Sequence, residues 1–323
     1  MRSPETKAPI QLADLRGKRR IAAEVISLVY IAIIAEVAIA SGAFYILFPE
    51  LAALSHDIFT RPRGSWASAP ALLVITPVLT AVLGTLVTRT LPYDYVSVML
   101  TVSGALAIIL ALRSPIAPAI SAGLLPLALG VRSFWYPAAI VFGTTLLAML
   151  SFIWKQMSVD QNTIVASEDE DTSPDAESYW RLLPLLALVL AAVFVVKLTN
   201  LRFVLFPPLV VIGFEIFLHT KHCPWATRTL SLPVVCMLTA AGGLFCRRYL
   251  GVGVASSVSS MAWGILILRV FDLHVPPALA VALLPQVIDA PTALYPVAVV
   301  VGTSLLSGSF VLYNRVLRPY FES

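Results

Sequence analysis

The sequence predicts an all-α, polytopic membrane protein made of two tandem repeats. Of its 323 residues, 59% are hydrophobic and 12% are charged, whereas a soluble domain carries about 25% charged residues. Several stretches of about twenty residues have almost no charge, and at about 1.5 Å per residue each is long enough to cross a bilayer core of about 30 Å. Segments in contact with lipid must be helical, because a helix satisfies its own backbone polar groups.

A gapless internal repeat is the second observation behind this prediction. Residues 118–147 return as residues 277–306 at a constant shift of 159, so that Pro126 corresponds to Pro285. Proline and glycine are costly inside helices, and their return at fixed offsets therefore indicates a repeated backbone shape. We expect two halves of similar fold, each with four to six membrane segments.

The first repeat, residues 21–154, follows a basic tail at residues 1–20. Its second and fifth segments are short or interrupted by prolines, so each either crosses the membrane or re-enters on the same side. The predicted segments are Ile21–Phe44, Tyr45–Thr60, Trp66–Thr88, Tyr93–Leu112, Ser114–Val131 and Phe134–Trp154.

An acidic segment, residues 155–180, separates the halves and is predicted to be a flexible linker, because it has almost no large apolar residues to bury. The second repeat, residues 181–318, repeats the series. Its predicted segments are Leu182–Val196, Phe203–Leu218, Trp225–Phe245, Val252–Val270, Val275–Ile288 and Ala293–Val311.

The number of crossings in each half decides the relative orientation of the halves. Four or six crossings give parallel halves, related by a pseudo-two-fold axis along the membrane normal, whereas five give inverted halves. The distribution of lysine and arginine weakly disfavours four crossings and does not separate parallel from inverted halves. The basic tail places the N-terminus in the cytoplasm, and an even count places the linker and C-terminus there as well. We expect the protein in the cell (inner) membrane.

Two carboxylates at corresponding positions are candidate site residues. Upstream of Trp225 the repeat holds at a shift of 158, which places Asp57 and Glu215 at the same point near the end of a short helix. Charges within a membrane are costly unless they are paired or hydrated. The two carboxylates could bind a cation or proton, or they could lie at the interface and face water.

Four prolines mark the interrupted segments as a second candidate. A helix broken near the membrane midplane leaves backbone groups unpaired, and transporters use such groups to hold small ions. The alternative is a pair of kinked but ordinary helices. The prolines are Pro118, Pro126, Pro277 and Pro285.

The flanks of these segments carry further candidates. Arg113 precedes the first segment and aligns with Asp272, and Asp289 follows the second. These charges could pair across the repeats, or the arginine could face a cavity and favour an anionic substrate. His274 could change its charge near neutral pH, or it could simply cap a helix.

Other function classes find little support in the sequence. The chain has no serine-hydrolase, metalloprotease, P-loop or dinucleotide motif, so we predict no enzyme and no cofactor. Basic residues beside a membrane span indicate topology rather than nucleic-acid binding. Three cysteines lack metal-ligand spacing and are predicted to be packing residues, and we predict no metal site. The cysteines are Cys223, Cys236 and Cys246.

The second half resembles the HPP family of integral membrane proteins, which is named for a His-Pro-Pro motif. The resemblance lies in F-P-P-L-V-V-I-G-F-E-I-F, C-P-W-A, H-V-P-P-A-L-A-V-A-L-L-P and the final Y-P-V-A-V-V-V-G-T-S-L-L…L-Y-N-R, and it covers about Leu182–Arg318. Here a valine separates His274 from the two prolines, and the first half has Ala117-Pro118 instead. Members resemble transporters, are described as four-span units, and in one branch are associated with nitrite.

This resemblance implies an even number of spans in each unit, which favours parallel halves. It also implies transport, and with the arginines it favours a small anionic solute. We therefore expect a transporter or channel whose site lies where the two proline-broken segments approach each other. The alternative is a non-catalytic structural or accessory membrane subunit. The expected partners are the lipid bilayer and a small-molecule or ion substrate, and the sequence makes no prediction of oligomeric state.

Overall fold

The computed structural model describes residues 8–158, 180–220 and 223–317, and within them the chain forms helices and turns without a β-strand. Six of these helices are long and apolar enough to cross a membrane. The predicted all-α, polytopic membrane fold is thereby confirmed. Most of the predicted linker lies outside the described residues, as do the first seven residues of the basic tail.

Each half has the same order of helices. In the first half, α1 begins at Ala8 and so continues through the basic cluster that was predicted to precede it. The helices of this half are α1 (Ala8–Ser41), α2 (Glu50–Thr60), the single turn α3 (Ser65–Ser68), α4 (Pro70–Thr90), α5 (Tyr95–Ala111), α6 (Ala119–Leu129) and α7 (Trp135–Ser158).

The second half repeats this order from Leu182 onward. A 3-10 segment, Ala226–Ser231, stands where α3 stands in the first half, and a 3-10 turn, Leu284–Gln286, follows α12 where α6 continues as an α-helix. The helices are α8 (Leu182–Thr199), α9 (Pro207–Leu218), α10 (Leu232–Leu250), α11 (Val254–Val270), α12 (Pro277–Leu283) and α13 (Leu294–Leu312).

Hydrogen bonds and backbone angles follow the repeat in detail. The Tyr136 hydroxyl of α7 donates to the carbonyl of Ala122 at 2.8 Å, and the equivalent Tyr295 of α13 donates to Val281 at 2.7 Å. Where α5 and α11 end, Arg113 and Asp272 both adopt a left-handed backbone with φ of 48°. Non-glycine residues rarely adopt this angle, so its return indicates a duplicated backbone shape.

The two tyrosines lead to a matched prediction. We expect Tyr136→Phe and Tyr295→Phe each to lower the free energy of unfolding by about 1–3 kcal/mol, because each change leaves a buried carbonyl without its donor. Unfolding midpoints of the purified variants in one detergent would measure the effect. A large loss in one variant and none in the other would contradict the equivalence.

Contacts at the ends of the helices give the direction of each crossing. The start of α1 and the ends of α2 and α7 line one cavity together with the start of the Ala226–Ser231 segment and the end of α11. At the opposite end, Lys197 at the end of α8 pairs with Asp94 at the start of α5. We call these the vestibule end and the far end.

Every segment therefore runs from one end to the other. The short helices α2, α6, α9 and α12 complete their crossings with 3-10 or extended stretches, such as Phe44–Ile46 before α2. Each half runs between the two ends six times, and the apolar parts of α1 and α8 both begin at the vestibule end. The halves are parallel, as the even count predicted, and the pseudo-two-fold axis follows the helices.

The short helices form the centre of the molecule and exchange partners between the halves. α6 packs on α9 and α12 packs on α2, whereas α6 and α12 share no extended interface in the described part of the chain. This corrects the expectation that the two proline-broken segments face each other. On the outside, α1 packs on α11 and the equivalent α8 packs on α5.

Glycines allow the closest of these approaches. A Cβ atom added at Gly84 of α4 would lie 1.8 Å from the carbonyl oxygen of Gly123 in α6. The equivalent Gly243 of α10 has the same relation to Ala282 of α12, at 1.9 Å. Helices in membranes associate through small residues of this kind, which let the backbones come together.

One ion pair also links the outer helices at each end. At the vestibule end, Glu24 of α1 pairs with Arg269 of α11. At the far end, hydrogen bonding from Lys197 of α8 lowers the pKa of the Asp94 carboxyl on α5 below its usual value. Both pairs join one repeat to the other and occupy related interfaces, α1 with α11 and α8 with α5.

Candidate functional site

A basic cavity of about 740 Å³ opens at the vestibule end, and we call it the vestibule. It gathers four arginines, two histidines and one carboxylate, Asp272, from both repeats. The arginines and histidines are Arg19, Arg20, His56, Arg61, Arg228 and His274. Clefts lined by one sign of charge concentrate ions of the opposite sign, so this arrangement favours an anion.

The floor of the vestibule is a contact between the repeats. Nε2 of His274 lies 2.9 Å from Oδ1 of Asp57, and Nε of Arg61 donates to the same oxygen at 2.9 Å. The Asp57 side chain is 1% exposed, while His274 is 28% and Arg61 is 40% exposed. One buried carboxylate therefore holds two basic groups that reach the cavity.

The sequence of α2 explains why Asp57 and Arg61 meet. They are four residues apart on consecutive turns of the helix, a spacing that brings side chains together on one face. His274 comes from the turn between α11 and α12, and it reaches Asp57 because α12 packs on α2. The ring of His56 lies beside that of His274, with centroids 6.1 Å apart.

The second repeat has no equivalent of the complete cluster. Glu215 occupies the position of Asp57 and pairs with His219, four residues on, at 2.9 Å. Pro115 stands where His274 stands in the other half, and it lines a cavity of only about 40 Å³ with Glu215. Both halves therefore carry an acidic residue at this position. Of the two, only Asp57 contacts a histidine of the opposite half.

The other candidates lie away from this cluster. Arg113 and Asp289 are exposed at opposite ends of the bundle, and neither lines the vestibule. The four candidate prolines are buried inside the central helices or at their starts. The prolines are Pro118, Pro126, Pro277 and Pro285. Their role in the structure is to shape the short helices rather than to line the cavity.

Glu50 is a buried carboxylate that the sequence analysis missed. It begins α2, is 1% exposed, and neither of its carboxylate oxygens has a hydrogen-bond partner of normal geometry in the structure. A signal was present in the repeat, because the equivalent position in the second half is Pro208. Packing alone does not require an acidic residue in a membrane segment, at a position where the other copy has proline.

All three cysteines are buried and free of disulfides, as expected for packing residues. Burial raises the pKa of the Cys223 thiol far above its usual value, so the group stays protonated and is a poor nucleophile. Among the described residues no three metal-binding side chains cluster. Lys221 and His222, which belong to the H-T-K-H-C run, lie outside the described residues.

Comparison of the chain with protein-family models, with curated proteins and with solved structures gives no match.

Proposed function

We propose that the protein transports a small anionic solute across the membrane and that the vestibule is its entrance. The observation that carries this proposal is the cross-repeat contact of His274 with Asp57 at the floor of a basic cavity. Alternating access requires two halves that move relative to each other around a site. A contact formed by one residue from each half suits that requirement.

The charge of the vestibule supports an anion as the solute. Arg20 and Arg228 are exposed at its rim, and Arg61 reaches it from the floor. Arg20 already pairs with Glu24 and Arg228 already donates to two backbone carbonyls, and the other N–H groups of their guanidinium groups can donate to an incoming anion. A guanidinium presents several donors in one plane, which suits small oxyanions.

A gate at Asp57 supports the transport mechanism. The carboxylate holds His274 of the second half and Arg61 of its own helix, so an anion that attracts either basic group competes with Asp57. Such competition would loosen the contact between α2 and the start of α12. Release of that contact is the step by which we propose the two halves rearrange.

The basic N-terminal segment supports a cytoplasmic location for the vestibule, because Arg19 and Arg20 line it and basic residues flank spans on the cytoplasmic side. Membership of the HPP family and location in the cell (inner) membrane remain part of the same proposal. The resemblance makes nitrite the first anion to test.

Uptake into proteoliposomes tests this function. Purified protein should accumulate nitrite, nitrate or chloride faster than protein-free vesicles, with and without a pH gradient. Absence of uptake of every anion, under both conditions, would exclude the proposal. It would favour the alternative of a structural or accessory subunit, with which the burial of most of the proline-broken segments also agrees.

Reversal of charge at the rim should slow uptake. We expect the double variant Arg20→Glu and Arg228→Glu to reduce the initial rate about tenfold at low salt, with a smaller reduction at high salt, because screening removes the attraction of the rim. Arg113→Glu is the control, since this arginine is exposed outside the vestibule. An equal loss in the control would show that net charge, not the vestibule, controls the rate.

A further inference from the structure

We propose that Glu50 is a proton-binding site at the centre of the bundle. The surroundings of Glu50 alone support proton binding. The use of that proton to drive anion uptake rests on the proposed function.

The surroundings of Glu50 leave its carboxyl group without a bonding partner of normal geometry. It is 1% exposed, and α2 is buried from Glu50 to Phe59. The Ser121 hydroxyl of α6 interacts with the carboxyl group and likewise has no hydrogen-bond partner of normal geometry. This hydroxyl can accept a hydrogen bond from a protonated carboxyl or donate one to a carboxylate, so the preference for the proton comes from the burial of Glu50 without a counter-charge.

The charges around Glu50 also favour a proton. The helices packed on α2 include α1, α7 and α12. Glu50 interacts electrostatically with Tyr136 of α7 and Tyr295 of α13, whose hydroxyls already donate to backbone carbonyls. Tyr30 of α1 likewise donates to a carbonyl.

The central helices α6 and α12 contain no titratable residue. In the described part of the chain, no basic side chain interacts electrostatically with Glu50. An ionised carboxylate in apolar surroundings without a counter-charge is strongly disfavoured. The neutral, protonated form is therefore the resting form.

The position of Glu50 in its helix makes release of the proton feasible. Glu50 is the first residue of α2, and the positive end of the helix dipole partly stabilises a negative charge there. Because α2 has eleven residues and ends at the vestibule, its first residue lies about 16 Å from the vestibule end, which is about half the thickness of a bilayer core of about 30 Å. The helix dipole therefore lowers the cost of ionising a carboxyl that is otherwise held in its protonated form.

Asp57 is the next carboxylate from Glu50 along α2 toward the vestibule. It lies seven residues further on, which is two turns, or about 10 Å, along the same face of the helix, and the residues between them on that face are apolar. Oδ2 of Asp57 has no hydrogen-bond partner, while its Oδ1 contacts His274 and Arg61, and His56 adjoins this cluster. These side chains are the titratable and charged groups at the vestibule end of α2.

The ligand class is a proton rather than a metal cation. Glu50 and Ser121 together offer one carboxyl and one hydroxyl, and hard cations such as calcium take about six or more oxygen ligands. Sodium remains a testable competitor in the experiments below.

Infrared spectroscopy of the purified protein tests proton binding without any transport assay. We expect a carbonyl band of a protonated carboxylic acid at neutral pH in the wild type, loss of that band in Glu50→Gln, and its retention in Asp289→Asn, a control at an exposed carboxylate. Ser121→Ala should shift the band, since it removes the hydroxyl that acts on the carboxyl. A wild-type spectrum identical to that of Glu50→Gln would overturn the proposal.

Uptake experiments test the use of the proton. In Glu50→Gln we expect an inward pH gradient to stimulate anion uptake by less than a tenth of the wild-type effect, while exchange of anions at equal pH persists. Undiminished stimulation in Glu50→Gln would overturn proton coupling through this residue, and so would stimulation by a sodium gradient in place of a pH gradient. If the wild type moves no anion at all, the proposed function fails and the infrared band alone decides the proton site.

Discussion

Asp57→Asn is expected to lower the rate of anion uptake by at least about tenfold, which corresponds to about 1.4 kcal/mol in the barrier. The substitution keeps the shape of the side chain and removes its charge. Arg61 and His274 then lose the common carboxylate that places them at the floor of the vestibule. Initial rates of nitrite uptake into proteoliposomes, at matched protein content, measure the effect.

The internal repeat supplies the control for this experiment. Glu215→Gln makes the same change at the equivalent position, where the carboxylate contacts His219 of its own helix and lines only a small cavity. We expect its uptake to remain within about threefold of the wild type, a difference of less than about 1 kcal/mol. Equal losses in the two variants would assign the effect to helix stability and not to the vestibule.

Gly243→Ala is expected to have the largest effect on stability. The new methyl group would lie 1.9 Å from the carbonyl oxygen of Ala282, so α10 and α12 would have to move apart. Overpacking typically costs about 1–3 kcal/mol, and a backbone neighbour has less freedom to relax than a side chain. We expect a fall of about 5 °C or more in the unfolding midpoint in detergent.

Two further glycines make this prediction specific. Gly84→Ala should cause a similar loss, since its methyl group would meet the carbonyl oxygen of Gly123 at 1.8 Å. Gly308→Ala should leave stability unchanged or raise it by about 0.4–1 kcal/mol, because nothing lies within 4 Å of the added carbon and alanine restricts the unfolded chain. Destabilisation by all three variants alike would contradict the proposed close approach.

The sequence predicted the helices and their repetition well, because both depend on local chemistry. Apolar runs of span length located the long helices, and recurring prolines located the short ones. It also placed Asp57 correctly near the end of a short helix, since the repeated Phe-Pro marks where α2 and α9 begin. The main departure was at α1, where helix continues through the basic cluster to Ala8.

The residues that form the site were harder to predict from the sequence, because they depend on which helix surfaces pack together. His274 and Asp57 were separate candidates in the sequence, and their contact arises from packing of α12 on α2, which no local pattern encodes. The two proline-broken segments have nearly the same sequence, which suggested that they meet. Each instead packs on the short helix of the opposite half.

The exchange of partners between the halves has a consequence for biosynthesis. When the first half has left the ribosome, α2 and α6 still lack α12 and α9, the helices that cover them in the finished protein. Their unsatisfied surfaces must remain exposed to lipid or to the insertion machinery until the second half has been translated. The two halves therefore complete one another only after synthesis of the whole chain, although each repeats the same plan.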